Sequence, residues 1–452
     1  MLRVGRSESG PVKTPESGND VIVLKIQEVS SDRSLLGDTE LSSESKTKTA
    51  VSVPRQTKVL FLDGVRGLAA MLVALQHSKE YLNDVNVGAS AVDTFFVLSS
   101  FLLTMLFLEK SEKLLAQGAS YRKWWFALAD YFLKRFFRVY PFFVLVAVVI
   151  RLLPFEYQNR YFLVETADKY DLYKVLTFDF DHRYLMLWTL PLEIAYYFFI
   201  PMFVLAVLRS QRLWWVAYIP LQMWVVYEGF YTYRSHHILL RPHFTTFLQG
   251  SLAAVVFVKL DAWLKTTGFE FCKWQILVIR AVEYLLIAML ISECFRTVLY
   301  EWVHDKLVPV PPGDPFISLL VASIIVVEMV MPSSVSRVLE WNVLRHWGKI
   351  SFSVYLLHPF VIFSDVISQK TNYYDRFFSQ VFLLLVLTTT SYYLVECPLQ
   401  LAIRRISRAL TELESKGCGV SVQIFANSNI VKTIYDAADC SKNPVIRKMS
   451  IV

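Results

Sequence analysis

The chain has 452 residues, of which 54% are hydrophobic and 15% aromatic, and its mean hydropathy is +0.40. These values exclude a soluble globular protein of this length and indicate a polytopic membrane protein. The formal net charge of +7 does not indicate nucleic-acid binding. The basic residues stand mainly in segments that flank apolar runs, where membrane orientation accounts for them.

The N-terminal segment is rich in Ser, Lys, Glu and Thr and lacks the basic-then-apolar order of a cleaved signal peptide. We interpret residues 1–55 as a disordered cytoplasmic tail, residues 56–405 as a transmembrane domain and residues 406–452 as a cytoplasmic C-terminal tail. The segment after the last apolar run is too short for an additional soluble enzyme domain. Any chemistry is therefore expected inside the membrane domain.

Apolar segments long enough to cross a bilayer recur along the transmembrane domain, which predicts an all-α bundle of about ten transmembrane helices. The predicted spans are residues 65–82, 91–108, 136–154, 184–208, 213–229, 244–260, 276–299, 316–332, 350–369 and 377–400. An even number of spans places both termini on one side. The loops on that side carry most of the Lys and Arg, so we predict that both termini are cytoplasmic.

The first predicted span carries ionisable residues in an otherwise apolar helix. Arg66 and His77 are eleven residues apart. In a helix this is about three turns, which places them on one face roughly 16 Å apart. Gly67, Ala70 and Ala74 share that face and would let another backbone approach closely. Ionisable groups within a span point into a protein-lined cavity, so this face predicts a functional site.

Later spans contain polar residues in five further motifs. The motifs are Ala91 to Leu103, which includes Asp93; Lys134 to Pro141, which includes Arg135 and Arg138; Trp188 to Pro201, which includes Glu193; Gly348 to Pro359; and Tyr392 to Pro398. Together with Leu62 to His77, and in this order, they resemble the acyltransferase-3 superfamily. These integral membrane enzymes move acyl groups from acyl-CoA onto hydroxyls of sugars, lipids or secondary metabolites.

The resemblance covers residues 58–405 and has small departures. Ala91 and Ser100 stand where the family usually has Gly, and Tyr196 stands where it usually has Phe. Ser100 would affect how closely two helices meet. Some relatives carry an additional esterase-like soluble domain, which is not expected here.

The resemblance implies that His77 is the general base that takes the proton of an acceptor hydroxyl, although a histidine bonded between helices is the alternative. It also places Glu193 in the active region, where it would hold the acceptor or complete the charge network. Asp63 and Asp93 are expected either to pair with arginines or to orient His77, since an unpaired acid at that depth is costly. We therefore take Asp93, with His77 and Glu193, as a catalytic candidate.

Three arginines are candidates for binding the phosphates of the donor. Arg135 and Arg138 are three residues apart and form a fork suited to a pyrophosphate. Arg66 lies near the predicted cytoplasmic end, where CoA would arrive. The alternative is anchoring at the membrane surface, where basic residues accumulate.

The sequence thus predicts a membrane O-acyltransferase that moves a short acyl group, such as acetyl, from acyl-CoA to a hydroxyl. Acyl-CoA is the expected co-substrate, with no metal or prosthetic group, and the expected partners are the bilayer, acyl-CoA and the acceptor. The alternative is a transporter or flippase of an acylated or acidic solute that uses the same buried charges.

One water-accessible chamber is expected to hold the arginines and His77, with the pantetheine arm between them. Ser351, Tyr355 and His358 share a helix face and are expected to line this chamber or to bond between helices. Glu396 is expected to cap a helix or pair at the cytoplasmic boundary.

Overall fold

The computed structural model describes residues 55–78, 85–166, 169–231, 240–307 and 316–415. Within these ranges the chain is helical and contains no β-strand, so the prediction of an all-α bundle is confirmed. Of the two predicted tails, 1–55 and 406–452, residues 1–54 and 416–452 lie outside the described residues.

The helices position the site. In chain order the α-helices of the described ranges are α1 (Arg55–His77), α2 (Val87–Ala116), α3 (Tyr121–Leu152), α4 (Phe155–Phe162), α5 (Leu172–Leu176), α6 (Thr189–Ser210), α7 (Trp214–Tyr231), α8 (Arg241–Thr267), α9 (Lys273–Cys294), α10 (Val298–Lys306), α11 (Ile317–Val330), α12 (Ser334–Leu339), α13 (Asn342–Lys349), α14 (Ser351–Ile362), α15 (Asp365–Ser368), α16 (Tyr373–Ser391) and α17 (Cys397–Ser415). A 3₁₀ turn, Leu185–Trp188, precedes α6, and a π-helical turn, Tyr392–Glu396, joins α16 to α17.

Within the described residues, each of the ten predicted spans overlaps one or more helices of this bundle. The helical segments of the described ranges that are long and apolar enough to cross a membrane are Leu60–His77, Val87–Ala116, Leu185–Ser210, Arg241–Thr267, Lys273–Cys294 and Tyr373–Glu412. Two predicted spans fall on the shorter apolar helices α11 and α14, and two fall on α3 and α7. The chain is therefore a multi-pass membrane protein.

Several helices extend well beyond their predicted spans. α3 begins at Tyr121, although its apolar run begins near residue 136. The first part of α3 contains several Lys, Arg, Ala and Leu residues, which form helix readily outside the hydrocarbon. A prediction from hydropathy alone therefore finds the membrane-spanning part and misses the polar extension.

Glycines allow α1 to lie directly against α13. A Cβ added at Gly67 would lie 2.0 Å from the carbonyl oxygen of Leu344, and one added at Gly348 would lie 1.9 Å from the carbonyl oxygen of Asp63. Backbone atoms of a packed helix cannot move aside as a flexible side chain can. The close approach predicted from the small-residue face of α1 is thus confirmed at Gly67.

A similar contact joins α2 to α8 at Ser100, where the family usually has glycine. Ser100 is buried and its hydroxyl donates to the carbonyl oxygen of Phe96 at 2.8 Å. A Cβ added at Gly250 of α8 would lie 2.1 Å from the Ser100 Oγ. Gly250 therefore leaves the room that the serine side chain occupies, and the two helices still pack closely.

We expect Gly67→Val to destabilise the bundle by at least about 3 kcal/mol, because overpacking costs about 1–3 kcal/mol even where side chains can shift. Gly229→Val in α7 is the matched control, since a Cβ there meets no atom within 4 Å. Thermal unfolding in detergent, followed by size-exclusion chromatography, measures the difference. Equal stability of the two variants would contradict the role given to Gly67.

Candidate active site

A cavity of about 290 Å³ opens between α1, α2, α3, α6 and α14. It contains four of the six residues that the sequence singles out as site candidates, and we call it the charged cavity. Its ionisable lining residues, apart from tyrosine, are Asp63, Arg66, Arg135, Arg138 and Glu193. Three guanidiniums thus face two carboxylates, which leaves a positive excess in a site suited to an anion.

The carboxylates of the charged cavity are held by named partners. Arg66 Nη1 lies 3.6 Å from Asp63 Oδ1, one turn away on α1. The Glu193 Oε1 accepts hydrogen bonds from the Tyr197 hydroxyl, at 2.6 Å, and from the Ser99 hydroxyl. These bonds tie the carboxylate of α6 to α2, so Glu193 is fixed in the cavity wall.

The charged cavity contains two arginines of α3, and one of them has a hydrogen-bond donor that no described residue satisfies. Arg135 and Arg138 both line the charged cavity, one helical turn apart. The Arg135 Nε is buried and has no hydrogen-bond partner among the described residues. An unsatisfied buried donor of this kind is costly to the free energy of folding.

A second cavity, of about 530 Å³, contains the other two candidates, His77 and Asp93, and we call it the histidine cavity. It is formed by the C-terminal end of α1 and the N-terminal ends of α2, α6, α8 and α11. Trp188 and His243 line it as well, with ring centroids 5.2 Å apart. The residues of α1 in the charged cavity lie nearer the other end of that helix, so the cavities follow one another along α1.

The hydrogen bond of His77 identifies its basic nitrogen. Nδ1 lies 2.8 Å from the carbonyl oxygen of Val73, one turn earlier in α1. A carbonyl oxygen only accepts hydrogen bonds, so Nδ1 carries the hydrogen and Nε2 is the basic nitrogen of the neutral ring. This tautomer is the one that a general base bordering a cavity requires.

His358 of α14 lies beside His77, with ring centroids 5.2 Å apart. Its Nδ1 donates in the same way, to the carbonyl oxygen of Val354 at 3.0 Å. The residue is fully buried, and within the described part of the chain its Nε2 has no hydrogen-bond partner. His358 therefore packs behind His77 instead of lining a cavity.

The two cavities share a wall formed by Val73, Val92, Thr189 and Tyr355. Thr189 Oγ1 and the Tyr355 hydroxyl are 2.6 Å apart and form a hydrogen bond across this wall. The residues expected in a single chamber therefore line two neighbouring cavities. The same four side chains border both cavities, so the cavities are direct neighbours.

Glu396 differs from its predicted place. Glu396 does not cap a helix at the membrane boundary: it is 5% exposed and accepts a hydrogen bond from the Ser353 hydroxyl, at the end of the π-helical turn. Ser351 and Tyr355 line the charged cavity, as one of the two alternatives expected. The described residues contain no group of three or more His, Cys, Asp or Glu suited to a metal ion.

Sequence reasoning overlooked three residues that line the cavities. Ser99 and Thr189 lie within the motifs, and polar positions in apolar spans are the signal that would have found them. His243 follows a proline at the start of α8 and belongs to no motif, so only the structure places it in the cavity that Asp93 lines.

Comparison with known proteins gives the family. The family described as acyltransferase domain matches residues 59–396. A relative from Staphylococcus aureus (strain COL), provisionally named an O-acetyltransferase, is 22% identical over 395 residues, which cover 78% of this chain and 59% of that protein. YrhL of Bacillus subtilis (strain 168), provisionally named a peptidoglycan O-acetyltransferase, is 25% identical over 377 residues, which cover 75% of this chain and 54% of that protein.

The chain thus spans between half and two thirds of the length of either relative. No solved structure matches the chain. The family match extends from the first turns of α1 to the end of the π-helical turn and includes both cavities and all the motifs singled out above, except the last two residues of the final one. This chain belongs to the acyltransferase-3 family of membrane proteins.

Proposed function

We propose that this chain is an O-acyltransferase that moves a short acyl group from acyl-CoA to a hydroxyl of a carbohydrate, lipid or secondary metabolite. The observation that carries the proposal is the position of the three-arginine cavity directly beside the cavity that contains His77. Family membership supports the reaction type, and the names of the relatives support acetyl as the acyl group.

The charged cavity is the proposed site for the phosphates of CoA. Guanidiniums bind phosphate oxygens in paired hydrogen bonds, and Arg66, Arg135 and Arg138 reach the cavity from two helices. The proposed orientation has both termini in the cytoplasm, so acyl-CoA enters at the end of the bundle where α1 begins. The pantetheine arm then extends along α1, over about 16 Å, toward His77.

The histidine cavity is the proposed site for the acceptor. His77 Nε2 takes the proton of the acceptor hydroxyl as its oxygen attacks the carbonyl carbon of the thioester. Holding both substrates in neighbouring cavities supplies part of the rate through proximity. The aromatic rings of Trp188 and His243 line this cavity together with the carboxylate of Asp93, and this combination suits a ring that carries several hydroxyls. Asp93 thus orients the acceptor or His77.

The test uses the full chain purified in detergent with radiolabelled acetyl-CoA and a panel of hydroxyl acceptors: an amino sugar, a peptidoglycan fragment and a fatty alcohol. We expect thiol release that depends on the protein and on one acceptor, with the label in an alkali-labile ester. The proposal would be contradicted if, with each of the acceptors, thiol release were no greater than in a blank without protein. Solute movement into proteoliposomes without consumption of acetyl-CoA would favour a transporter.

A further inference from the structure

The wall between the two cavities contains a pair of hydroxyls from different helices. Thr189 is the first residue of α6 and is 8% exposed, and Tyr355 lies in α14 and is half-buried. Their oxygens are 2.6 Å apart, and both side chains line the charged cavity and the histidine cavity. A group that reaches from one cavity into the other passes the side chains that line both, and these two supply the hydroxyls among them.

The hydroxyl pair retains one hydrogen that it can donate to a further group. Each hydroxyl has one hydrogen, and their mutual bond uses only one of the two. When Thr189 donates to the Tyr355 oxygen, the hydrogen of Tyr355 remains to be donated to another group. A phenolic hydroxyl that accepts one hydrogen bond is polarised and becomes a better donor.

A comparable set of hydrogen-bonded hydroxyls elsewhere in the bundle lies outside both cavities. The Tyr196 hydroxyl of α6 lies 2.8 Å from the Ser251 hydroxyl of α8, which in turn lies 2.8 Å from the Thr104 hydroxyl of α2. All three residues are buried, and none lines the charged cavity or the histidine cavity. The wall pair differs because it borders both.

We propose that the Tyr355 hydroxyl, held by Thr189, donates a hydrogen bond to the carbonyl oxygen of the thioester during acyl transfer. The inference rests on the proposed function, in which the donor phosphates lie on one side of the wall and His77 on the other. The reacting carbonyl then lies at the wall itself. Tyr355 is thus a catalytic residue, and Thr189 is a positioning residue that acts through it.

Acyl transfer from the thioester to the acceptor hydroxyl needs no further reactant. The acceptor oxygen forms a bond to the carbonyl carbon, its proton passes to His77 Nε2, and the carbonyl π electrons move to the oxygen that Tyr355 contacts. When the tetrahedral intermediate collapses, the C=O bond reforms, the C–S bond breaks, and the CoA thiolate takes the proton from His77. Stabilising the negative oxygen lowers the barrier to both events.

The experiment compares Tyr355→Phe with Tyr196→Phe in the acetyl-CoA assay, using the acceptor that supports thiol release by the wild type. We expect Tyr355→Phe to lower kcat about 100-fold, as removal of an oxyanion donor does, while KM for acetyl-CoA changes less than about threefold. Tyr196→Phe removes a hydroxyl of the same kind outside both cavities and restores the residue usual in the family, so its kcat is expected to equal that of the wild type.

Thr189→Val keeps the tyrosine but removes its partner, and we expect kcat to fall about tenfold with KM unchanged. This variant also decides the matter if Tyr355→Phe fails to fold, which thermal unfolding reports. Binding of a thioether analogue of acetyl-CoA, which has no thioester to react, should match the wild type in each folded variant. A purely structural role would weaken that binding or the thermal stability together with kcat.

The inference is overturned if folded Tyr355→Phe retains kcat within about threefold of the wild type, or if only its KM changes. If Tyr355→Phe does not fold, an unchanged kcat of Thr189→Val overturns the inference. Failure of the proposed function is a separate result, because in that case the wild type itself releases no thiol from acetyl-CoA.

Discussion

Replacing His77 with alanine is expected to lower kcat for acyl transfer by about 1,000-fold, while the protein remains inserted and folded. Proton transfer by a positioned base contributes about 10²- to 10⁴-fold, and no other imidazole of the described residues is placed equally. His358 is fully buried behind His77, and His243 lies across the histidine cavity on α8. Thiol release from acetyl-CoA at saturating donor measures the loss.

His304→Ala is the matched control for this prediction. His304 of α10 donates from Nδ1 to the carbonyl oxygen of Tyr300 at 2.8 Å, one turn earlier, as His77 does with Val73. It lines neither the charged cavity nor the histidine cavity. Any loss that comes only from removing such a bond should therefore appear in both variants. Transfer by His77→Ala at the wild-type rate would refute the assignment of the base.

The helices and the polar face of α1 could be predicted because they depend on local order in the sequence. Apolar runs of spanning length identify the membrane helices, and a separation of eleven residues places Arg66 and His77 on one face whatever surrounds them. The same holds for Arg135 and Arg138, whose spacing on α3 brings both to the charged cavity. Gly67 belongs to this group, since small residues on a helix face indicate close packing.

The division into two cavities could not be predicted, because it depends on contacts between distant parts of the chain. Thr189 and Tyr355 are 166 residues apart, and no spacing rule brings their hydroxyls together. Glu396 shows the same limit. A glutamate before a proline near the end of a span indicates a boundary residue, yet the π-helical turn directs it toward Ser353 inside the bundle.

Replacing Arg135 with glutamine is expected to raise KM for acetyl-CoA about 10- to 100-fold with little change in kcat. A hydrogen bond to a charged group is worth about 1.5–3 kcal/mol, and each 1.4 kcal/mol changes affinity tenfold. The phosphates are bound equally in the ground state and the transition state, so the loss falls on KM. Arg135→Lys keeps the charge but not the planar fork, and an intermediate KM is expected.

Arg122→Gln separates this role from membrane anchoring. Arg122 lies on the same helix, α3, is exposed, and contacts the ring of Phe126 with its guanidinium carbon 5.5 Å from the ring centroid. If the arginines of α3 only set orientation, the two substitutions should alter membrane insertion alike and leave KM unchanged. If Arg135 binds the donor, only its replacement raises KM, and the dependence of KM on salt weakens with it. An unchanged KM for Arg135→Gln would show that the phosphates of CoA do not bind in the charged cavity.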